Sequence, residues 1–365
     1  MLLATHHSTG AYITPTIGGF VRTALRATYL LLVLSYSATA APVITEASGT
    51  FDHKSLVTIK GSGFGSKPQA APVLWDTVDN ISTYGALSNG DAIPMGGKHP
   101  WPSPYGNSSG RNEVKFNTTD SQRGVSTAQY KATNTKSAYL DGLTWSPTNY
   151  AYISWWWKTD KNVSAGDHSS KFLRVSVSSD ETGQTFSWTQ MHAYIWYNGG
   201  YPSPVSWAGF NGNPGNWNFM EAWFDSAKRT WAARANGRTL HNSSWSGSSI
   251  QFNELWKVGF DGGGVAPPSV TWWMDDIYVD SSLARVMLGN ASTFDMSTQF
   301  EMQIPISWSA SSISVGFNQG SFATGGKAYL YIVDQNGTVN SSGFPVTIGA
   351  GAVSVPPPSK LRFTP

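Results

Sequence analysis

The sequence predicts an all-β protein, and three observations carry that expectation. Charged residues are only 13% of the 365 residues, about half the usual share. Glycine, serine, threonine, asparagine and aromatic residues take their place, the composition of short strands joined by turns. The apolar residues recur in strand-like runs: Tyr150-Ala151-Tyr152-Ile153-Ser154-Trp155-Trp156-Trp157, Trp188 to Trp196, and Val270-Thr271-Trp272-Trp273-Met274. Fifteen of the 17 tryptophans lie between Asp76 and Asp295. No stretch beyond residue 40 shows convincing helical periodicity.

Residues 1–40 have the layout of an export signal. Arg22 and Arg26 precede the apolar run Tyr29-Leu30-Leu31-Leu32-Val33-Leu34, and Ala38-Thr39-Ala40 offers small residues for cleavage. The run is short for a membrane span, so contact with a membrane is expected only through this signal. An uncleaved anchor is the alternative. The expected location is secreted, cell-surface or periplasmic.

Removing residues 1–40 takes two of the 24 basic residues and none of the 22 acidic ones, which leaves 22 of each. No basic run remains to neutralise a phosphate backbone, so nucleic acid is not an expected partner. There is no cysteine, which excludes thiolate metal sites and cysteine nucleophiles and leaves stability to the core. Eight Asn-x-Ser/Thr sequons begin at Asn80, Asn107, Asn117, Asn162, Asn242, Asn290, Asn336 and Asn340. A chain so rich in serine and threonine produces several by chance. A monomer is expected.

After the signal, Ser55-Leu56-Val57-Thr58-Ile59-Lys60 alternates like a half-buried strand. Gly61-Ser62-Gly63-Phe64-Gly65 follows, with glycines for a sharp turn and a phenylalanine to plug a core. These residues resemble the opening of an IPT/TIG domain, an immunoglobulin-like β-sandwich, over less than half of such a module. The other half is expected at the far end. Ile304 to Ser309 and Ser312-Ile313-Ser314-Val315-Gly316-Phe317 read as strands. Gly325 to Val333 leads to the tight-turn pair Asn336-Gly337, and Phe344 to Ile348 reads as the last strand. The expected organisation is one sandwich built from 41–75 and 297–350, with 76–296 inserted between its halves and 351–365 as a tail. Two independent partial β units are the alternative.

The insert carries short strands with turns roughly every 8–12 residues, the pattern of a sandwich or jelly roll. Its end, Trp273-Met274-Asp275-Asp276-Ile277-Tyr278-Val279-Asp280, resembles the closing strand of concanavalin A-like lectin/glucanase domains. That fold hosts binders and enzymes alike. Read as one strand, Thr185 to Trp196 puts Trp188, Gln190, His192, Tyr194 and Trp196 on one face. Such a row suits a concave sugar-binding face, where rings stack on sugars and amide or imidazole groups bond hydroxyls. Tyr201, in the loop from Tyr197 to Pro204, would sit at its rim.

Arg111-Asn112-Glu113-Val114-Lys115 and Gln190-Met191-His192 are similar to the R-(S/T)-E-(L/V)-R and Q-(I/V)-H strands of alginate-lyase-type jelly rolls. The resemblance implies β-elimination. Arg111 and Gln190 would hold a uronate carboxylate, His192 would be base or neutraliser, and a tyrosine such as Tyr194 the acid. Lys115 stands where the second arginine belongs and cannot form its bidentate fork. The late Y-x-K-x-G-x-Y motif is missing. Paired carboxylates for hydrolysis are limited to Glu221 and Asp225. Asp275 and Asp276, adjacent on a strand, are expected to face opposite ways. One of them is a candidate for a structural Ca²⁺, with a bond to backbone or arginine as the alternative. No histidine spacing suggests zinc. The first reading is a binder of extracellular or cell-wall polysaccharide that does not cleave it. The alternatives are a uronate lyase and a structural or adhesion module.

Overall fold

The computed structural model is all-β and describes residues 40–94, 96–105, 113–134, 137–161, 171–177, 180–187, 192–195, 206–207, 210, 212–247, 249–261, 269–351 and 353–354. Strands are numbered along the chain. One short helix, Ile81–Tyr84, is opened by Asn80, whose side chain accepts from the Ser82 amide. No described helix is long and apolar enough to cross a membrane.

The strands form three sheets. The first contains β1 (Val43–Gly49), β2 (Leu56–Ser62), β18 (Arg285–Gly289), β19 (Phe300–Trp308), β20 (Ser312–Gly316), β21 (Lys327–Val333), β22 (Phe344–Thr347) and β23 (Val353–Ser354). Its order is β22-β21-β18-β19-β20-β2-β1-β23. Strands from the two ends of the chain therefore pair directly, with Val57 opposite Val315 and Ile59 opposite Ile313. This sheet folds over its own core of Val57, Ile59, Phe64, Val286, Leu288, Ile313, Val315, Leu330 and Ile332. Gly63 and Gly65 have φ of +72° and +70°, and the Phe64 ring between them is fully buried. β18 pairs with β19 and β21 in this sheet, although it lies in the segment 76–296 expected as the insert.

The second sheet holds β3 (Leu74–Asp76), β5 (Lys115–Asn117), β6 (Gln129–Asn134), β8 (Tyr150–Thr159), β13 (Asn218–Asp225), β14 (Thr230–Ala235), β15 (Arg238–Ser244) and β17 (Val270–Asp280). Its order is β15-β14-β13-β8-β17-β6-β5, with β3 also on β17. The third runs β12 (Ser206–Trp207), β11 (His192–Ile195), β10 (Asp180–Ser187), β9 (Lys171–Val177), β16 (Phe252–Asp261), β7 (Ala138–Thr148), β4 (Ser103–Tyr105).

The second sheet lies between two apolar layers. Alternation sends Ile153, Trp155 and Trp157 of β8 into the core shared with the third sheet, beside Leu140, Leu173, Val258 and Phe260. It sends Tyr152 and Trp156 the other way, against Met287, Phe300, Met302 and Tyr331 of the first sheet. Trp156 and Trp157 are neighbours in sequence but sit in different cores. The tryptophan excess thus fills both faces of one sheet.

Between the second sheet and the first lies a buried ionic junction. Arg123 pairs with Asp276, reaches Glu301 at 2.6 Å and Asp275 at 3.7 Å, and lies 4.4 Å from the Trp156 ring. Trp156 Nε1 donates to Glu301 at 3.1 Å, and the Ser321 amide and hydroxyl donate to the same carboxylate. The expectation that Asp275 and Asp276 face opposite ways is corrected here. Asp276 has φ +49°, and the pairing slips between Asp275 and Tyr278, so both carboxylates turn to Arg123.

Candidate functional site

The sequence-predicted residues are only partly in view. Trp188, Gln190, Trp196, Tyr201 and Arg111 lie outside the described residues. His192 and Tyr194 fall in β11, with His192 opposite Trp207 and Tyr194 opposite Thr185. The expected single strand from Thr185 to Trp196 is corrected. β10 ends at Ser187, and β11 pairs with it antiparallel, Phe186 opposite Ala193. His192 and Tyr194 thus sit on a different strand from Thr185 and Ser187, and the residues from Trp188 to Met191 lie outside the described residues.

Glu113 is exposed and precedes β5, which begins at Lys115 and ends the second sheet. β11 is in the third sheet. The strands leading from the two lyase-like fragments therefore belong to different sheets.

The described residues with chemistry lie on the face of the third sheet turned from its core. Asp141, Lys257 and Arg174 stand opposite one another on β7, β16 and β9. The same row continues through Thr185 on β10 to Tyr194 on β11 and ends at Ser103 on β4. Two local irregularities build this row. Leu255 and Val258 both enter the core although two residues separate them where alternation calls for one, because the register with β9 slips at Trp256. Leu140 and Leu143 of β7 do the same around Gly142, whose φ is +79°. The matched slips place Trp256 and Lys257 together off the core, a recognised use of a bulge.

Asp141, Lys257 and Tyr139 are buried, whereas Arg174, Trp256 and Glu254 are half-buried. The first three form a floor and the others keep contact with solvent. Lys257 Nζ is 4.3 Å from the Tyr139 ring centre and 4.6 Å from that of Trp256. The Arg174 guanidinium lies 4.7 Å from the same Trp256 ring, and among the described residues its buried Nε has no hydrogen-bond partner. Gly259, opposite Tyr139, has φ +134°, and a Cβ there would come within 2.7 Å of Tyr139 Cα. Glycine is needed for this close approach. Two cations, one carboxylate and two rings can together receive hydroxyls, a carboxylate and the flat face of a sugar.

The other acidic candidates are engaged in the structure of the protein. Glu221 is buried and accepts from the Tyr152 hydroxyl at 2.8 Å, with Arg285 at 3.7 Å. Asp225 pairs with Lys228 at 3.1 Å and accepts its amide, closing the turn after β13. Among the described residues no group of three acidic or histidine side chains is placed to hold a metal ion. Arg123 occupies the surroundings of Asp275 and Asp276, where Ca²⁺ was a candidate.

No protein family matches the chain by sequence, and no curated protein does. Among solved structures the chain is similar to a cellulose-induced protein, Cip1, at 16% identity over 50% of this chain and 91% of that one, with a TM-score of 0.39. It is similar to the alginate lyase Aly36B, crystallised with an alginate tetrasaccharide, at 13% identity over 58% and 98% of the two chains, TM-score 0.34. It is also similar to the binding domain of botulinum neurotoxin serotype D at 11% identity over 60% and 66%, TM-score 0.33.

Proposed function

We propose that this protein binds polysaccharide on the outer face of the third sheet, at the row of Asp141, Lys257 and Arg174 beside Tyr139 and Trp256. The observation that carries the reading is the matched slip at Gly142 and Trp256. It brings two rings and three charged groups together on a face that strand alternation would have left mixed with core. Trp256 offers a surface for a sugar ring, Lys257 and Arg174 donate to hydroxyls or a carboxylate, and Asp141 accepts from hydroxyls. Tyr194 holds the β11 position of the same row.

In the same reading, residues 1–40 direct export. The chain then comprises an IPT/TIG-like sandwich, drawn from both ends, and a concanavalin A-like insert. The direct pairing of β2 with β20 supports the split sandwich. Isothermal titration of the full chain against plant and algal polysaccharides tests the binding. Trp256→Ala should weaken it at least tenfold.

A second reading, β-elimination of a uronate polymer, is favoured by Lys257 lying 4.3 Å from the Tyr139 ring with Arg174 in the same row. A cation would neutralise the uronate carboxylate while a lysine or tyrosine moves the proton. Ultraviolet absorbance of the unsaturated product distinguishes the two. Product that forms with the wild-type chain and not with Tyr139→Phe supports cleavage, and binding without product supports the first reading.

A further inference from the structure

A cavity of about 100 Å³ opens where the second sheet meets the first. Trp223 and Arg234 line it from β13 and β14, and Arg285, Phe294, Asp295 and Val333 line it from the other side. It has room for several water-sized groups. Two guanidiniums in so small a space need anionic partners, and the protein supplies few. Arg285 is buried. Its Nη1 donates to the Leu283 carbonyl at 2.9 Å, and its nearest carboxylate, Glu221 at 3.7 Å, already accepts from Tyr152.

Arg234 has less. Its guanidinium lies 5.0 Å from the Phe294 ring and 5.3 Å from the Trp223 ring. Among the described residues its buried Nε has no hydrogen-bond partner and no carboxylate forms an ion pair with it. Aromatic faces attract the charge but cannot accept the N–H groups in the guanidinium plane. A carboxylate matches that planar fork with two parallel bonds. The apolar wall at Val333 suits the carbon body of an organic acid.

We propose that this cavity is a carboxylate-binding site, with Arg234 as the principal donor and Arg285 as the second charge. Its walls come from both layers, so an occupant tightens the junction between them and raises the stability of the whole chain by mass action. Asp295, exposed at the lining, opposes the anion and sets a modest affinity.

The test is thermal unfolding of the full chain in sodium acetate, sodium glucuronate and sodium chloride at equal ionic strength, with glucose as the neutral control. A saturating rise in melting temperature with acetate or glucuronate, and none with chloride or glucose, is expected. Acetate and glucuronate acting alike means the carboxylate suffices, and glucuronate acting alone means the sugar body is also held. Arg234→Gln should weaken the effect at least tenfold, and Asp295→Asn, at an exposed position, should strengthen it severalfold. Trp256→Ala must keep the effect, which separates this cavity from the sheet face proposed to bind polysaccharide. No carboxylate-specific rise in the wild-type chain, or an affinity that Asp295→Asn leaves unchanged, overturns the proposal.

Discussion

Arg123→Met removes the single cation from a group of three buried carboxylates. Asp275, Asp276 and Glu301 are at most slightly exposed, and each lies within 4 Å of the guanidinium. Burial raises the pKa of all three, and Arg123 is the main influence lowering Asp276 and Glu301. The guanidinium is itself desolvated, but Glu301, Asp276 and Asp275 outweigh that and hold it protonated. Breaking a buried pair by removing one partner costs about 3–5 kcal/mol. Methionine fills much of the stem volume, so little of that cost is cavity. For a chain of this size the loss corresponds to a melting-temperature fall of roughly 4–7 °C.

The pH dependence has a definite sign. A carboxyl group with a raised native pKa binds more protons folded than unfolded between its ordinary value, about 4, and its raised one. Stability from this source is complete below the ordinary value and declines as pH rises through the raised one. Going from pH 7 to about 5 should therefore relieve the variant more than the wild type, because protonation removes the charge Arg123 no longer balances. Calorimetry of both chains at the two pH values measures it. A difference under about 1 kcal/mol at pH 7, or one that widens at pH 5, would refute the reasoning.

Three further outcomes follow from the geometry. Gly259→Ala should lower stability by more than about 1 kcal/mol, because alanine disfavours positive φ, and should weaken polysaccharide binding by displacing Tyr139; chemical denaturation and titration on one preparation check both. Asp76→Asn should cost about 2–4 kcal/mol by chemical denaturation. The buried Asp76 carboxylate accepts from Tyr130 at 2.6 Å, Trp101 at 2.8 Å and Tyr84 at 3.0 Å, and an amide presents a donor to one of them. Lys257→Met should reduce affinity for uronate-containing polymers more than for neutral ones, read by titration with matched pairs.

The all-β class was legible because alternation and turn chemistry agreed. Val57 and Ile59 are buried between exposed Leu56 and Lys60, and Gly63 and Gly65 turn at positive φ around buried Phe64. The order of strands was less legible, since β18 reads as a plain apolar run whose partners, β19 and β21, lie further along the chain. The continuous alternation from Thr185 to Trp196 hid the division into two antiparallel strands, β10 and β11, because no glycine or proline between Thr185 and Trp196 marks a break. Asp275 and Asp276 obeyed no simple alternation because one residue took positive φ. The row of Asp141, Arg174 and Lys257 went unnoticed in the sequence. Its signal was present: Leu140 to Leu143 and Leu255 to Val258 each space core residues by three where a strand calls for two. One such skip is ordinary, and only their pairing in space gives the two a meaning.

The most direct measurement is the affinity of the full chain for its best polysaccharide, compared with that of Trp256→Ala. Trp256 is half-buried and belongs to no apolar core cluster, so the variant should keep its melting temperature within a few degrees. Binding weakened at least tenfold in a folded variant is the predicted result. Equal affinity in the two proteins would contradict a binding site on the outer face of the third sheet.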